Sequence, residues 1–359
     1  MVYPAFGRIF FMRKNLLLAL LLLSTALGAF LLVVLSPRPS AFTPSIARFY
    51  SLGTFLHFQV WGARAPGALE AAKAFVADVD RRFSRYSSSS DTRILAQAAG
   101  KEEISLSGES LFLFSQALEY ARLTEGAFDP TIGPLTALWN IGTPEEQLPS
   151  PEAIRKALKL VNYEDLLVFP QRGTALLARE GQLPDFGGIA KGYAGDGVRK
   201  ILEEHGISQG LLDLGGNIVA LGNKPGGAPW KIGIQNPLEP RGNYLGILSV
   251  SDTSVVTSGN YERYFEKEGK RYHHILDPRT GYPASQNLLS VTVTSESALQ
   301  GDALSTGLYV LGLSRGMELA KKLEAVEALF VTSDRRVIAT SGIARHFILT
   351  EESFSLEIR

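Results

Sequence analysis

A glycine-rich segment, Asp185-Phe-Gly-Gly-Ile-Ala-Lys-Gly192, directly precedes a predicted helix and could bind an anion. Paired glycines let backbone N–H groups approach a phosphate closely, and the N-terminus of a helix adds partial positive charge. Lys191 could contribute a full positive charge to the same site. The segment matches neither the Walker pattern nor G-x-G-x-x-G. An ordinary strand-to-helix turn is therefore the alternative interpretation.

A carboxylate and a hydroxyl occur at helical spacing in Asp302-Ala-Leu-Ser-Thr306. Residues four apart lie on the same face of a helix, one turn from each other. With a backbone carbonyl and phosphate oxygens, they would supply the hard oxygen ligands that Mg²⁺ prefers. Asp302 could equally be a favourable acidic residue in the first turn of the helix.

A third segment, Gly126–Leu135, contains two glycines and two prolines around Asp129 and Thr131. Because proline fixes its own φ, this composition predicts a rigid loop. Such a loop could hold the carboxylate and the nearby Trp139 against a planar ligand. The alternative is a structural turn closed by the Asp129 side chain, with Trp139 in the core.

Two adjacent histidines, His273 and His274, follow the polar segment Thr257–Tyr261. A strand predicted over Tyr272–Leu276 would turn the two side chains to opposite faces. One could then line a cleft while the other packs, and a zinc ion shared by both is not expected. The histidine in the cleft could act as a general base, because its ordinary pKa lies near neutrality. A hydrogen-bonded structural histidine is the alternative.

The elements that must position these residues alternate helices and strands irregularly, which predicts an α+β fold with mixed sheets flanked by helices. Helices are predicted over Ala68–Phe83, Ser110–Thr124, from Pro151 onward, Ala190–His205, Gly301–Leu311 and Met317–Leu323. Further strands are predicted over Phe55–Trp61, Gly210–Asp213, Trp230–Gln235, Leu245–Val250, Leu289–Thr294, Ala328–Thr332 and Phe347–Leu349.

Charge and cysteine content exclude several function classes. The sequence has 36 basic and 36 acidic residues, and no basic block suggests a nucleic-acid partner. It contains no cysteine, which excludes disulfides, thiolate catalysis and cysteine zinc sites.

The N-terminal region predicts a membrane attachment. The run Leu16–Leu35 carries no charge and has the length of about 20 residues that a membrane-spanning helix needs. Basic residues before it place residues 1–15 in the cytoplasm and the globular part outside. We therefore predict a short cytoplasmic N-terminus (1–15), a transmembrane anchor or signal segment (16–35), a linker (36–45) and a catalytic domain (46–359). A cleaved signal peptide is the competing interpretation of the apolar run.

From about Ser51 to its C-terminal end, the sequence resembles the ApbE family, whose members are FAD:protein FMN transferases. The motifs that carry the resemblance occur in the family's order: Leu52-Gly-Thr54, Phe83-Ser-Arg-Tyr86, Gly126–Leu135, Asp185–Gly192, Thr257–Tyr261, His274-Ile-Leu-Asp-Pro278 and Asp302–Thr306. The resemblance implies an ApbE-like flavin transferase fold, here with an N-terminal membrane helix. It also implies FAD as substrate and a divalent cation, usually Mg²⁺. Phe186 stands where the family more often has leucine, a change expected to affect packing.

The resemblance also assigns roles to residues. It implies that the metal ion is held by the backbone carbonyl of Gly188 and by the side chains of Asp302 and Thr306. His274 and Lys191 would be catalytic, with Asp277 as an alternative base. The residues implied to contact FAD are Leu52, Tyr86, Ala127, Phe128, Asp129, Lys191, His274 and Ile275.

The partners implied are FAD, an acceptor protein and the bacterial inner membrane, with the catalytic domain facing the periplasm or another extracytoplasmic space. The acceptor would be a subunit of a membrane redox complex of the Nqr or Rnf type. The reaction implied is metal-dependent transfer of FMN from FAD to a threonine or serine hydroxyl of the acceptor, with release of AMP. Two alternatives are a metal-dependent FAD pyrophosphatase giving FMN and AMP, in which water replaces that hydroxyl, and a non-catalytic FAD carrier.

Overall fold

A nine-stranded sheet is the framework of the computed structural model, which describes residues 43–285 and 287–359. The strands of the described residues are β1 Ser45–Ser51, β2 Thr54–Trp61, β3 Ile104–Ser105, β4 Leu166–Phe169, β5 Thr174–Leu177, β6 Gln209–Leu214, β7 Asn217–Leu221, β8 Trp230–Gln235, β9 Tyr244–Val250, β10 Ser254–Gly259, β11 Tyr264–Lys267, β12 Lys270–His273, β13 Leu288–Ser295, β14 Glu327–Thr332, β15 Arg336–Ala339, β16 Phe347–Leu349 and β17 Ser355–Ile358. The large sheet has the order β1-β2-β6-β7-β10-β13-β14-β15-β17. Its neighbours are antiparallel except for the parallel pair β15–β17.

Helices cover one face of this sheet. Those of the described residues are α1 Ala65–Phe83, α2 Asp91–Gln97, α3 Gly108–Leu123, α4 Gly133–Trp139, α5 Pro151–Leu158, α6 Ala190–Glu204, α7 Ala298–Lys322 and α8 Ser341–Ala344. Alternate residues of each strand face the helices, as the period of two requires. Phe58 and Leu212 from the sheet pack with Val76, Val198 and Leu308 from α1, α6 and α7 in the main core.

A smaller three-stranded sheet, in the order β16-β9-β8, covers part of the opposite face. Trp230, Ile232 and Leu248 from this sheet form a second core with Leu329 and Val337 from the large sheet. Along β8 buried and exposed side chains alternate, so the face of this sheet that meets the large sheet is buried and its other face is exposed.

The large sheet opens between β7 and β10. These two strands pair only at Ser254 with Val219 and at Val255 with Ile218. On its other side, β10 pairs with β13 along its whole length, from Ser254 to Gly259. The second half of β10 therefore has no partner on the β7 side among the described strands, and a gap is left there.

The structure confirms most of the predicted elements and the α+β class. The helix predicted from Ala190 is present and ends before Gly206, whose φ of +72° suits the left-handed position after a helix. The two C-terminal helices form one element, α7, kinked at Gly312, where φ is +79°. The short helix α4 was not predicted. It begins within the segment Gly126–Leu135, which was expected to be a rigid loop, and ends at Trp139.

One predicted strand is wrong in its extent. The strand expected over Tyr272–Leu276 ends at His273, because from Ile275 onward the backbone bonds to a different segment. The amide of Ala284 donates to the carbonyl of Ile275 at 2.9 Å, and the amide of Asp277 donates to that of Tyr282 at 2.8 Å. His274 is held separately, since its own amide donates to the carbonyl of Arg263, just before β11, at 3.1 Å.

The predicted segments 1–15 and 16–35, and most of the linker, lie outside the described residues. Within residues 43–285 and 287–359, no helix combines the length and apolarity needed to cross a bilayer.

His273 makes the stability of the fold depend on pH. Its side chain is 6% exposed, and its Nε2 lies 3.0 Å from the carbonyl oxygen of Ala284. Burial lowers the pKa of His273 to about 4. The unfolded chain binds the proton near its ordinary pKa of about 6.5, whereas the folded chain does not. The free energy of unfolding should therefore fall by up to about 3 kcal/mol between about pH 7 and pH 4 because of this residue.

The measurement is urea unfolding of the wild type and His273→Gln across this pH range. Glutamine can still donate to the Ala284 carbonyl but does not titrate. We expect a shallower loss of stability in acid for the variant. Parallel curves for the two proteins would contradict the assignment.

Candidate active site

The residues predicted to bind FAD, hold the metal ion or take part in catalysis line one cleft of about 1120 Å³, whereas the alternative base Asp277 is not among its lining residues. The volume exceeds the range of about 300–1,000 Å³ that is typical of small-molecule pockets. The residues brought together are Leu52 in the β1–β2 turn, Tyr86 after α1, Ala127, Phe128 and Asp129 before α4, Gly188 and Lys191 at the start of α6, His274 and Ile275 after β12, and Asp302 and Thr306 on α7.

Asp185 fixes the glycine-rich loop that leads into α6. Its Oδ1 accepts the amide of Gly187 at 2.9 Å, and its Oδ2 accepts the hydroxyl of Thr136 at 2.7 Å. The Nε of Arg85 lies 3.5 Å from Oδ2. These bonds hold the loop to the segment after α1 and to α4. Gly188 then lies so close to α7 that an added Cβ would be 3.3 Å from the Oγ1 of Thr306.

Phe186, between these polar residues, is a packing residue, as the sequence predicted. It is buried and stacks on Phe114 with ring centroids 4.5 Å apart. The stacked pair anchors the loop in the main core.

Asp302, Thr306 and Gly188 could hold a metal ion. Asp302 is 3% exposed; its Oδ2 accepts the amide of Gly192 at 2.9 Å, and its Oδ1 lies 3.7 Å from the Nζ of Lys191. The Oγ1 of Thr306, one turn further along α7, is 3.2 Å from the Oγ of Ser258. One carboxylate, one hydroxyl and a nearby carbonyl are oxygen donors of the kind that Mg²⁺ prefers.

The donor set is small. No group of three or more His, Cys, Asp or Glu within the described residues could hold a metal ion. A cation at Asp302 would thus take its other ligands from water or a bound phosphate, as Mg²⁺ sites in phosphoryl-transfer enzymes do.

Asp129 is occupied within its own loop. Its Oδ1 accepts the amide and the hydroxyl of Thr131 at 2.7 and 2.6 Å, and its Oδ2 accepts the amide of Tyr163 at 3.0 Å. Burial raises the pKa of Asp129 despite these bonds. Trp139 is buried and donates to the carbonyl of Gly281 at 2.8 Å. The carboxylate therefore shapes the loop that presents Ala127 and Phe128, which is the structural alternative left open by the sequence.

The two histidines have different environments. His273 is buried, whereas His274 is partly exposed on the cleft wall. The Nδ1 of His274 lies 3.2 Å from the carbonyl oxygen of Arg263 and so carries the hydrogen, which leaves Nε2 as the acceptor. The protein packed around its ring removes most of the water that would solvate a charge, and this desolvation, followed by the positive charge of Arg263, lowers the pKa of His274 to about 3. The ring is neutral at physiological pH.

Asp277, the alternative base, is already engaged. Its Oδ1 and Oδ2 accept the Nε and Nη2 of Arg279, both at 2.8 Å. Both of its oxygens are therefore committed to the guanidinium of Arg279.

Two positioning groups were not found from the sequence. The Oδ2 of Asp80 accepts the amide of Leu52 and the hydroxyl of Ser51, both at 2.9 Å. These bonds stabilise Leu52 at a positive φ of +52°, which a leucine rarely adopts. The other group is the Arg85–Asp185 pair. Arg85 also donates to the hydroxyl of the exposed Tyr86 at 2.6 Å. Arg85 belongs to the motif Phe83-Ser-Arg-Tyr86 and could have been singled out there. Its partner Asp185 lies 100 residues away in the sequence, so the pairing itself could not be predicted.

Comparisons with known proteins show which family the sequence matches. The model of the ApbE family matches residues 52–330. An FAD:protein FMN transferase of Treponema pallidum is 34% identical over 323 residues, which are 85% of this chain and 89% of that protein. One of Klebsiella pneumoniae is 38% identical over 244 residues, 68% of this chain and 75% of that protein.

Solved structures are similar as well. The ApbE protein of Thermotoga maritima superposes with a TM-score of 0.79 at 31% identity, covering 85% of this chain and 99% of that one. The flavin transferase ApbE of Vibrio cholerae gives a TM-score of 0.76 at 27% identity, covering 84% of this chain and 99% of that one.

The Asp185→Asn variant tests the role of the buried pair. The substitution keeps the shape of the side chain but leaves Arg85, whose side chain is 14% exposed, without a carboxylate partner. We expect the free energy of unfolding to fall by about 2 kcal/mol, measured by urea denaturation. Asp334→Asn is the matched control, because that pair with Arg336 is exposed. Equal effects of the two substitutions would show that Asp185 does not brace the loop.

Proposed function

The chain belongs to the ApbE family, and from this premise we propose that it transfers FMN from FAD to a threonine or serine hydroxyl of its acceptor, with a divalent metal ion and release of AMP. Family membership makes the protein an FAD:protein FMN transferase. The metal ion, the hydroxyl acceptor and the leaving group are the proposed part. The observation that carries it is the meeting of Lys191, Asp302, Thr306 and a neutral His274 in one cleft.

The diphosphate of FAD would bind at the start of α6. The loop held by Asp185 leads its backbone amides toward the first turn of this helix, where partial positive charge favours an anion. The ammonium of Lys191 lies on the same turn and is only partly exposed. Lys191 would therefore stabilise charge on the phosphate oxygens as the transferred group detaches.

The donor set described above supports Mg²⁺, held by the carbonyl of Gly188, the carboxylate of Asp302 and the hydroxyl of Thr306. A bound Mg²⁺ would neutralise charge on the diphosphate and align it for in-line displacement. When Asp302 binds the metal ion, Lys191 would lose its present contact with that carboxylate and would contact the diphosphate instead.

His274 would accept the proton of the attacking hydroxyl. Its Nε2 carries the free lone pair, since Nδ1–H is bound to the carbonyl of Arg263. The positive charges of Arg263 and Lys191 contribute to its low pKa. A bound diphosphate opposes these charges, so substrate binding should raise the pKa of His274 and increase its basicity. The acceptor oxygen bonds to the FMN-side phosphorus, the bond to the AMP phosphate breaks, and the hydroxyl proton passes to Nε2.

We also propose where the reaction takes place. The uncharged run Leu16–Leu35 and the basic residues before it support an anchor in the bacterial inner membrane, with the domain on the extracytoplasmic side. The acceptor would then be the extracytoplasmic part of a subunit in a membrane redox complex of the Nqr or Rnf type.

The proposal is tested by incubating the full chain, in detergent micelles, with FAD, Mg²⁺ and the flavin-free acceptor domain of an Nqr-type subunit. Mass spectrometry should find one FMN added to a threonine or serine of the acceptor, with an equal amount of free AMP. Chelation should prevent both. Free FMN and AMP without an adduct would favour the pyrophosphatase, and intact bound FAD would favour the carrier.

Asp302→Asn is the matched variant for the metal dependence. It keeps the size of the side chain but weakens a metal ligand, so turnover should fall strongly and added Mg²⁺ should restore little. Asp334→Asn, on the exposed surface, serves as control. Near-normal turnover of Asp302→Asn would remove Asp302 from the metal site.

His274→Ala tests the proton transfer. We expect kcat to fall about a hundredfold or more, because positioned general bases contribute about that much. The Kd for FAD, measured by flavin fluorescence, should change little. His205→Ala, at the far end of α6, is the control. A loss of FAD affinity as large as the loss of rate would make His274 a binding residue instead.

A further inference from the structure

Strand β8 has a free edge that faces the active-site cleft. In the three-stranded sheet β8 pairs with β9 on one side and has no neighbour on the other among the described strands. Residues Lys231 to Gln235 all line the cleft, although their side chains alternate between the two faces of the sheet. Ile232 and Ile234 are buried in the second core. The backbone edge, and not one side-chain face, therefore borders the cleft there.

The pairing register shows which groups are free on this edge. The amide of Ser249 on β9 donates to the carbonyl of His346, next to β16, at 2.9 Å. In an antiparallel ladder, successive residues bond alternately to the two neighbouring strands. Ser249 and Ile247 thus bond toward β16, so Lys231 and Gly233, their partners on β8, do not bond to β9. The amides and carbonyls of Lys231 and Gly233 must point away from β9, into the cleft.

The cleft connects this edge to the metal-binding residues through the gap between β7 and β10. Gly216 and Asn217, on one side of the gap, line the cleft, as do Thr257 and Ser258 on the other. The Oγ of Ser258 is 3.2 Å from the Oγ1 of Thr306. A polypeptide beside β8 therefore has a continuous path to the site where phosphate is expected to bind.

Two substrates must meet in this cleft. An in-line displacement requires the nucleophile to approach from the side opposite the leaving group. The residues expected to contact FAD include none of β8, whose residues 231–235 also line the cleft. The volume of about 1120 Å³ leaves room for a second chain.

We propose that an extended segment of the acceptor protein pairs with the free edge of β8, through the amides and carbonyls of Lys231 and Gly233, and so delivers its hydroxyl through the β7–β10 gap. The occupant is a polypeptide because the enzyme's second substrate is a protein, and an open strand edge recognises backbone. This inference rests on the proposed hydroxyl acceptor. Tyr244, whose ring would lie 2.4 Å from a Cβ at Gly233, covers the edge glycine and would contact the added strand.

The test is Lys231→Pro, which removes an amide that bonds to no other described strand. Proline is tolerated at such edge positions. Lys231→Ala keeps the amide and removes only the side chain. Leu349→Pro, on the other edge of the same sheet, is the matched control. Leu349 is opposite Gly246 of β9, whose backbone bonds toward β8. The amide of Leu349 therefore points outward from β16, as that of Lys231 points outward from β8. Circular dichroism and thermal unfolding check that each variant is folded.

We expect Lys231→Pro to lower kcat/KM for the flavin-free Nqr-type acceptor domain about tenfold, the effect of losing one backbone hydrogen bond of about 1.4 kcal/mol. The Kd for FAD should not change, Lys231→Ala should lose less, and Leu349→Pro should behave as the wild type. Equal kcat/KM values for Lys231→Pro and the wild type would overturn the proposal. An absence of transfer by the wild type would instead refute the proposed function.

A second measurement does not depend on any variant. Amide hydrogen exchange in the segment containing Lys231 and Gly233 should slow when the acceptor is added, while exchange in the outer edge of β16 stays unchanged. Unchanged exchange at β8 under conditions of active transfer would show that the acceptor binds elsewhere.

Discussion

The carboxylate of Asp302 is the interaction on which the site depends. It accepts the amide of Gly192 and lies beside Lys191, so it joins the first turn of α6 to α7. The helices can approach so closely because Gly192 has no side chain; a Cβ there would lie 2.2 Å from the carbonyl oxygen of Ala298. Asp196, one turn further along α6, accepts the amide of Ala298 at 2.7 Å and caps α7. The start of α6, where we propose that phosphate binds, and the face of α7 proposed to hold the metal ion are therefore fixed relative to each other.

Charge in the cleft is arranged around this junction. Arg85 is neutralised by Asp185 and serves to hold the loop. Lys191 has only a longer contact with a carboxylate, and Arg263 donates only to the carbonyl of Gly53 within the described structure. Lys191 and Arg263 therefore keep positive charge for a ligand, and after burial they also contribute to the low pKa of His274. An anionic substrate would oppose the part of this effect that comes from the two cations, so we expect phosphate binding to make His274 a stronger base.

Incomplete pairing of two strands in the large sheet shapes the cleft. Full pairing of β7 with β10 would separate the helix-covered face from the face covered by the smaller sheet. Their short contact leaves an opening that joins both faces into one cleft. An enzyme that brings a dinucleotide and a protein to the same phosphorus needs access from two directions, and this opening provides it.

The sequence by itself determined the chemistry: the spacing of Asp302 and Thr306, the paired glycines before α6, and most helices and strands, because these depend on local periodicity and capping. The residue patterns alone left open whether Asp129 binds ligand or closes a turn and which histidine faces the cleft, although the family resemblance pointed to Asp129 as an FAD contact and to His274 as the catalytic histidine. Those choices depend on partners distant in the chain. Asp129 bonds to Tyr163, His274 to Arg263, and Asp80 holds Leu52 at a positive φ. The free edge of β8 was likewise decided only by the tertiary structure, because strand neighbours are set by packing between sheets and not by the residues of the strand itself.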